Sequence, residues 1–171
     1  MTAPAFVTCD VLDDHPEKDI QVMMPSIDGK SFKSYGAVKS FAGEVVTVKC
    51  FEDNSRVKEL LATDGTDKVL VVDGGASMRC ALMGDMIAES AVKNHWNGVI
   101  IYGCVRDVDA IAELQLGVHA LAAIPLKSNR KGAGEIDLVL KFGGVTIQSG
   151  DYIYADNNGI IVSKEKLASF K

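Results

Sequence analysis

Asp85, Arg106 and Asp107 are the residues of this chain whose types and spacing best suit chemistry. Two carboxylates and a guanidinium gathered beside the open N-terminus of a helix would make a site for a divalent cation and a small anion. Oxygen donors of this kind suit Mg2+ or Mn2+ rather than zinc. Each residue also has an ordinary structural use. Asp85 stands where a helix N-cap would, and Asp107 could cap a following helix. Arg106 could pair with Asp107, Asp109 or Glu113.

Whether the three meet depends on the elements between them. Residues 69–72 (VLVV) and 99–102 (VIIY) are short apolar runs that read as buried strands. The first leaves through DGGAS and the second through Gly103-Cys104. A helical segment begins near Gly84-Asp85 and stops at Asn97-Gly98. Over residues 86–95 a helix advances about 1.5 Å per residue, roughly 15 Å in all. The strand over residues 99–104 returns at about 3.3 Å per residue, roughly 20 Å. Packed antiparallel, the two bring Arg106 and Asp107 back to the edge where Asp85 starts.

The bulk properties narrow the function classes. At 171 residues and 47% hydrophobic content, the expectation is one globular domain over residues 1–171 with a sizeable core. Apolar runs are too short for a membrane span, and MTAPAFVTCDVLDD lacks the pattern of a secretory signal. A net charge of −5 without a Lys/Arg cluster argues against nucleic acid as a direct partner. A cytoplasmic protein is expected.

The four cysteines, Cys9, Cys50, Cys80 and Cys104, are scattered without C-x-x-C spacing, so neither a zinc site nor a disulfide framework is expected. Cys50 and Cys104 end apolar strands and read as small hydrophobes. His15, His95 and His119 are far apart and none is singled out for catalysis, with His95 read as capping or packing near a helix end. VLVVDGGAS imitates a nucleotide-binding turn, or that of a methyltransferase using S-adenosylmethionine. It is not G-x-G-x-x-G, and the simpler reading is a tight turn leaving a strand.

Around this centre the chain is strand-rich. Residues 7–14 form a short helix, and FAGEVVTVKC is a strand with a bulge or turn at Gly43. Asp53-Asn54-Ser55 caps a helix reaching Ala62, with Val57, Leu60 and Leu61 on one face. Residues 108–116 read as a helix closed by Gly117, and residues 118–125 as a strand. KSNRKGAG, residues 127–134, reads as a solvated connector. Short strands follow at 138–142, 145–148, 152–155 and 160–163, then a charged terminal turn at 164–171.

Several segments together carry a family resemblance: GEVVTVKCFEDNS, VLVVDGGASMRCALMGDMIA, NGVIIYGCVRDVD, GVHALAAIPLKS and YADNNGIIVS. Over nearly its whole length the chain resembles the family of the regulator of ribonuclease activity A and the class II 4-hydroxy-4-methyl-2-oxoglutarate/4-carboxy-4-hydroxy-2-oxoadipate aldolases. The aldolase branch carries an Asp, twenty intervening residues and Arg-Asp, which Asp85, residues 86–105 and Arg106-Asp107 match. The ribonuclease regulators typically lack this set.

The resemblance implies an α/β/β sandwich of the swivelling-domain type, assembled as a ring-shaped homotrimer with sites between subunits. It implies that Asp107 binds the metal directly and Asp85 through water. Arg106 would hold the pyruvate oxygens, while backbone amides around Gly84, Asp85, Met86 and Ile87 would take the substrate carboxylate. The expected activity is that of a Mg2+- or Mn2+-dependent lyase, an aldolase or oxaloacetate decarboxylase, releasing pyruvate from a 2-oxo acid through a metal-stabilised enolate. Longer aldolases of the family add a C-terminal helical extension with an acidic residue for a neighbouring site. Residues up to Lys171 show no such extension, so alongside the family's long substrates a smaller 2-oxo acid, oxaloacetate or a 4-hydroxy-2-oxoglutarate-like compound, is kept among the expected substrates. The alternative from the same family is a regulator that binds a ribonuclease and catalyses nothing.

Overall fold

Two runs with no polar interruption, VLVV and VIIY, need cover on both faces, and the whole arrangement follows from supplying it. The structure, a computed structural model, describes residues 6–167. From the N-terminus come helix α1 (Thr8–Asp14), strands β1 (Gln21–Val22), β2 (Lys33–Ser34) and β3 (Phe41–Lys49), and helix α2 (Ser55–Leu61). Strands β4 (Lys68–Asp73) and β5 (Ala81–Met83) lead into helix α3 (Asp85–Lys93), strand β6 (Gly98–Val105), helix α4 (Val108–Ile111) and strand β7 (Gly117–Ala123). The chain closes with β8 (Glu135–Ile136), β9 (Leu140–Phe142), β10 (Val145–Ile147), β11 (Tyr152–Asp156) and β12 (Gly159–Ser163).

The centre of the large sheet is parallel: β3 pairs with β4, β4 with β6 and β6 with β7. Parallel neighbours need crossovers, which α2, α3 and α4 provide. The path across the sheet runs β1-β12-β11-β3-β4-β6-β7-β2, with β5 beside β6 and β8 beside β3. Strands β9 and β10 form a separate hairpin.

Side chains alternate between two cores, as the period of two along a strand requires. Leu70, Val72, Val99 and Ile101 face the helices, where they meet Val57 and Leu61 of α2, Ile87 and Ala91 of α3, and Ile111 of α4. Val69, Val71 and Ile100 face the other way, against Phe41, Leu140, Phe142, Val145 and Ile147. Helices thus cover one face and further β structure the other. Cys50, Cys80 and Cys104 are buried free thiols, and burial, with nearby Asp53 and Asp73, pushes the Cys50 thiol up to about 12.

Several sequence expectations need correction. Gly43 makes neither bulge nor turn: β3 runs through it in register, and a Cβ there would lie 2.8 Å from the carbonyl oxygen of Asp67. The helix expected over residues 108–116 stops at Ile111. Its continuation is captured by another segment, since the carbonyls of Leu114 and Leu116 accept from the amides of Ala37 and Val38 at 3.1 and 3.4 Å. Strand β5 has no signature in the sequence, being too short and too close to a turn to show a pattern.

The connector over residues 127–134 is not merely solvated. It clasps buried Asp53, whose Oδ2 accepts from the amides of Lys131 at 2.7 Å and Ala133 at 3.3 Å. Arg56 completes the clasp by donating to the carbonyls of Gly132 and Gly134. Asp53 also receives the amide and hydroxyl of Ser55 on Oδ1, while Asn54, at the cap position of α2, makes no side-chain cap bond. The last part of the expected terminal turn, residues 168–171, lies outside the described residues.

Candidate active site at the ends of the parallel strands

Asp85, Arg106 and Asp107 do converge. Strands β5 and β6 run parallel, with Ala81 opposite Cys104 and Met83 opposite Val105, so the residues just beyond each strand emerge side by side. The amide of Arg106 donates to the carbonyl of Met83 at 3.0 Å, extending that pairing by one step. One residue later, Oδ2 of Asp107 accepts from the amide of Asp85 at 3.1 Å. Crevices at the carboxyl ends of parallel strands are where open α/β sheets place ligands.

The backbone here is specialised. Asp107 sits at φ 56°, in the left-handed region, which turns its carboxylate toward the start of α3. Gly84 occupies the position preceding α3, and a Cβ there would lie 2.5 Å from Asp107 Oδ2 and 3.3 Å from Cγ and Nε of Arg106. Only a residue without a side chain leaves room for both groups.

The capping roles considered from sequence are not the ones found. Gly84, not Asp85, is the cap of α3, and Asp85 is the first residue of the helix. Asp107 does precede α4, but its carboxylate makes no cap bond there and reaches back to α3 instead. Its side chain caps the neighbouring helix. Asp85 makes no side-chain hydrogen bond or ion pair with any described residue. Arg106 approaches Asp107 only loosely, Nε to Oδ2 at 3.9 Å, and both side chains are partly exposed at 38% and 40%. The guanidinium makes no other hydrogen bond or ion pair with the described residues, which leaves its donors available to a ligand.

With the Asp85 amide taken, the amides of Met86 and Ile87 are the remaining open donors at the start of α3, because the first helical bond runs from Ala88 to Gly84 at 3.1 Å. The far end of α3 closes in a Schellman motif: Trp96 donates to Ala91, and His95, at φ 70°, donates to Val92. His95 therefore serves as a backbone cap. Support for β5 comes from Asn54, whose Nδ2 donates to the carbonyl of Leu82 at 3.1 Å, and from Arg130, which donates to Asn54 Oδ1 at 3.2 Å.

The donors fit a hard divalent cation. Asp107 keeps Oδ1 clear of its bond to Asp85, and Asp85 offers a second carboxylate on the same edge. Among the described residues, no group of three or more His, Cys, Asp or Glu forms a closed metal cage. A cation resting on one or two carboxylates and completing its shell with water and substrate oxygens is the manner of Mg2+.

The DGGAS turn is self-contained. The amides of Gly74 and Ala76 donate to the carbonyl of Tyr102, that of Gly75 to Asp73 Oδ1 and that of Ser77 to the Gly74 carbonyl. No amide remains to hold a phosphate.

Sequence and structure comparisons place the chain among known proteins. The RraA-like family, described as Aldolase/RraA, matches residues 8–162. The chain belongs to this family. A protein of Acinetobacter baylyi, provisionally named 4-hydroxy-4-methyl-2-oxoglutarate aldolase, is 78% identical over 166 residues, 97% of this chain and 98% of that protein. The structure of a protein from Geobacillus kaustophilus, described as an S-adenosylmethionine:2-dimethylmenaquinone methyltransferase, superposes with TM-score 0.89 at 41% identity, covering 95% of this chain and 97% of that one. The RNA-processing inhibitor RraA of a Thermus species superposes with TM-score 0.87 at 38% identity, covering 98% of both chains.

The mixed α/β architecture, a large sheet with few helices, is thus the RraA fold. What sequence reasoning missed in this RraA-like protein was the part played by Gly84 and β5. Gly84 was expected to offer an amide; the structure shows instead that its lack of a Cβ leaves the room that Asp107 and Arg106 occupy. Among the described residues, no helix is long and apolar enough to cross a membrane.

Proposed function

We propose that this RraA-like protein is a divalent-metal-dependent lyase that cleaves the C3–C4 bond of a 2-oxo acid and releases pyruvate. The reading covers 4-hydroxy-4-methyl-2-oxoglutarate aldolase activity, oxaloacetate decarboxylation, or both. One observation carries it: the bond from the Asp85 amide to Asp107 Oδ2, which holds the Asp107 carboxylate against the start of α3, beside Arg106 and at the residue that bears the second carboxylate. The names of its relatives point the same way.

Each residue has a task in this reading. Asp107 would hold Mg2+ or Mn2+ directly and Asp85 would hold it through water. The cation, when bound, supplies Lewis-acid polarisation of the 2-oxo group. The amides of Met86 and Ile87 take the substrate carboxylate at the positive end of α3. Arg106 faces the 2-oxo oxygen, where negative charge develops as the C3–C4 electron pair moves into the pyruvyl fragment. In the aldol substrate a water held by Asp85 takes the proton of the 4-hydroxyl. In oxaloacetate the same bond breaks with loss of CO2, and a proton then returns to C3 in either case.

The assembly proposed is a cytoplasmic homotrimer with the site at a subunit boundary. Met86, 80% exposed beside the candidate site, supports a neighbour covering this edge. The test is pyruvate release from both substrates with Mg2+, Mn2+ or EDTA. Activity that needs the cation and disappears in Arg106→Ala and Asp107→Ala, with circular dichroism unchanged, supports the lyase; activity untouched by EDTA overturns it.

A second reading, a regulator of an RNA-processing enzyme, is favoured by the likeness to the Thermus inhibitor. Partner binding that survives both substitutions in a chain without lyase activity would select it. The activity in the Geobacillus protein's name finds no support in the 73–77 turn, whose amides are all engaged within the chain.

A further inference from the structure

The path across the large sheet begins at β1 and ends at β2, and these two edge strands do not pair, although residues of both line one cavity. A cavity of about 490 Å3 lies in the seam, lined by Val22 of β1 on one side and by Ser34 of β2 and His119 of β7 on the other. It shares no lining residue with the Asp85–Asp107 site. It opens on the other face of the sheet as well: Val118 and Ala120 face the helices, whereas the His119 ring meets Phe41 of the opposite core edge-on, centroids 5.2 Å apart.

Ser34 and His119 are directly opposed in the β2–β7 ladder. Among the described residues, the buried side-chain polar atoms without a hydrogen-bond partner are Ser34 Oγ and both ring nitrogens of His119. All three lie on the wall of this one cavity, and His119 is only 4% exposed. Folded proteins pair nearly all such atoms, so three together mark a place where something else supplies the partners.

The remaining wall defines what that partner is. Asp156 also lines the cavity, but its carboxylate is engaged: it accepts from the amide and hydroxyl of Thr8 at 2.7 and 2.8 Å and from the amide of Asn158 at 2.8 Å. It stays charged and repels anions. Met23, Phe32 and Ile160 supply apolar surface. Burial holds the His119 ring neutral, so it presents one donor and one acceptor, as the Ser34 hydroxyl also does.

We propose that the seam cavity binds a small uncharged molecule, with an apolar body and a hydroxyl or carbonyl group hydrogen-bonded to His119 and Ser34. Cavities of this volume suit ligands of ordinary metabolite size. The 2-oxo acids of the lyase reading are anions and do not belong here, so the two sites are chemically separate.

The test uses the full chain, labelled with 15N-histidine, and two probes of similar size: benzyl alcohol, which is neutral, and benzoate, which is not. The expected result is a saturable shift of the His119 ring nitrogens with benzyl alcohol and none with benzoate. Ser34→Ala, on a two-residue edge strand, should weaken benzyl alcohol binding about three- to tenfold, the range for one net hydrogen bond. His119→Gln, which removes the reporting ring and is therefore followed by titration calorimetry beside the parent chain, should weaken it comparably while keeping a donor and an acceptor for the fold. No shift up to the solubility limit, an equal response to benzoate, or full affinity in Ser34→Ala would each overturn the proposal.

Discussion

The amide of Asp85 donates to Oδ2 of Asp107 at 3.1 Å, a bond between residues 22 apart that ties the start of one helix to the entrance of the next. It holds the Asp107 carboxylate in place from behind while leaving its other oxygen forward. A ligand-binding group fixed in this way loses little freedom when a cation arrives.

Gly84→Ala tests whether that placement matters. The new Cβ would fall 2.5 Å from Asp107 Oδ2, so the carboxylate must swing away. Misplacement by about 1 Å is enough to cost on the order of a hundredfold in turnover. Steady-state pyruvate release should drop by about that factor, with far-UV circular dichroism unchanged. Normal turnover would mean that the carboxylate position is not critical.

Arg106→Lys should be nearly as damaging as Arg106→Ala. A guanidinium presents a planar fork to a carboxylate or enolate, and one ammonium does not reproduce it. A loss of roughly a hundredfold or more in kcat/KM is expected for both. Turnover in Arg106→Lys within a few fold of the parent would remove Arg106 from the site.

Asp107 combines a charge with a left-handed backbone, and two substitutions separate these. Asn tolerates φ 56° almost as well as Asp, whereas Ala costs about 1 kcal/mol there. Asp107→Asn should therefore unfold at nearly the parental temperature yet lose Mn2+ binding by calorimetry. Asp107→Ala should lose both. Retained Mn2+ affinity in Asp107→Asn would show that the cation sits elsewhere.

Acid should destabilise the fold in two windows. Burial lowers the His119 ring from its ordinary 6.5 to about 4, so between those values the unfolded chain takes a proton that the folded one refuses. Stability is complete above 6.5 and falls as pH drops toward 4, by about 3 kcal/mol at most. For Asp53, burial opposes the charge, but the Ser55 hydroxyl and the amides of Ser55, Lys131 and Ala133 together hold it at about 2. That contribution is present above 3.8 and lost as pH falls through 2. Melting followed from pH 8 downward should show the first decline flattened in His119→Gln and the second in Asp53→Asn. An unchanged profile in His119→Gln would contradict the burial argument.

Much of this was legible in the linear chain because it rests on local rules. The unbroken apolar runs of β4 and β6 announced strands covered on both faces, and a helix between them had to return Arg106 and Asp107 to Asp85 by simple lengths. Motif segments named the family. Tertiary structure decided what no local rule reaches. Residues 112–116 left the helical path because a segment some 75 positions earlier offered their carbonyls better partners, and the basic loop over residues 127–134 folded down because Asp53 was buried beneath it. The exchange of capping roles, with Asp107 serving the helix of Asp85 instead of its own, and the meeting of Ser34 with His119 across the β2–β7 ladder have the same origin. Hydrogen bonds and steric room depend on which atoms lie near one another in space, and sequence separation carries almost no information about that until the sheet has assembled.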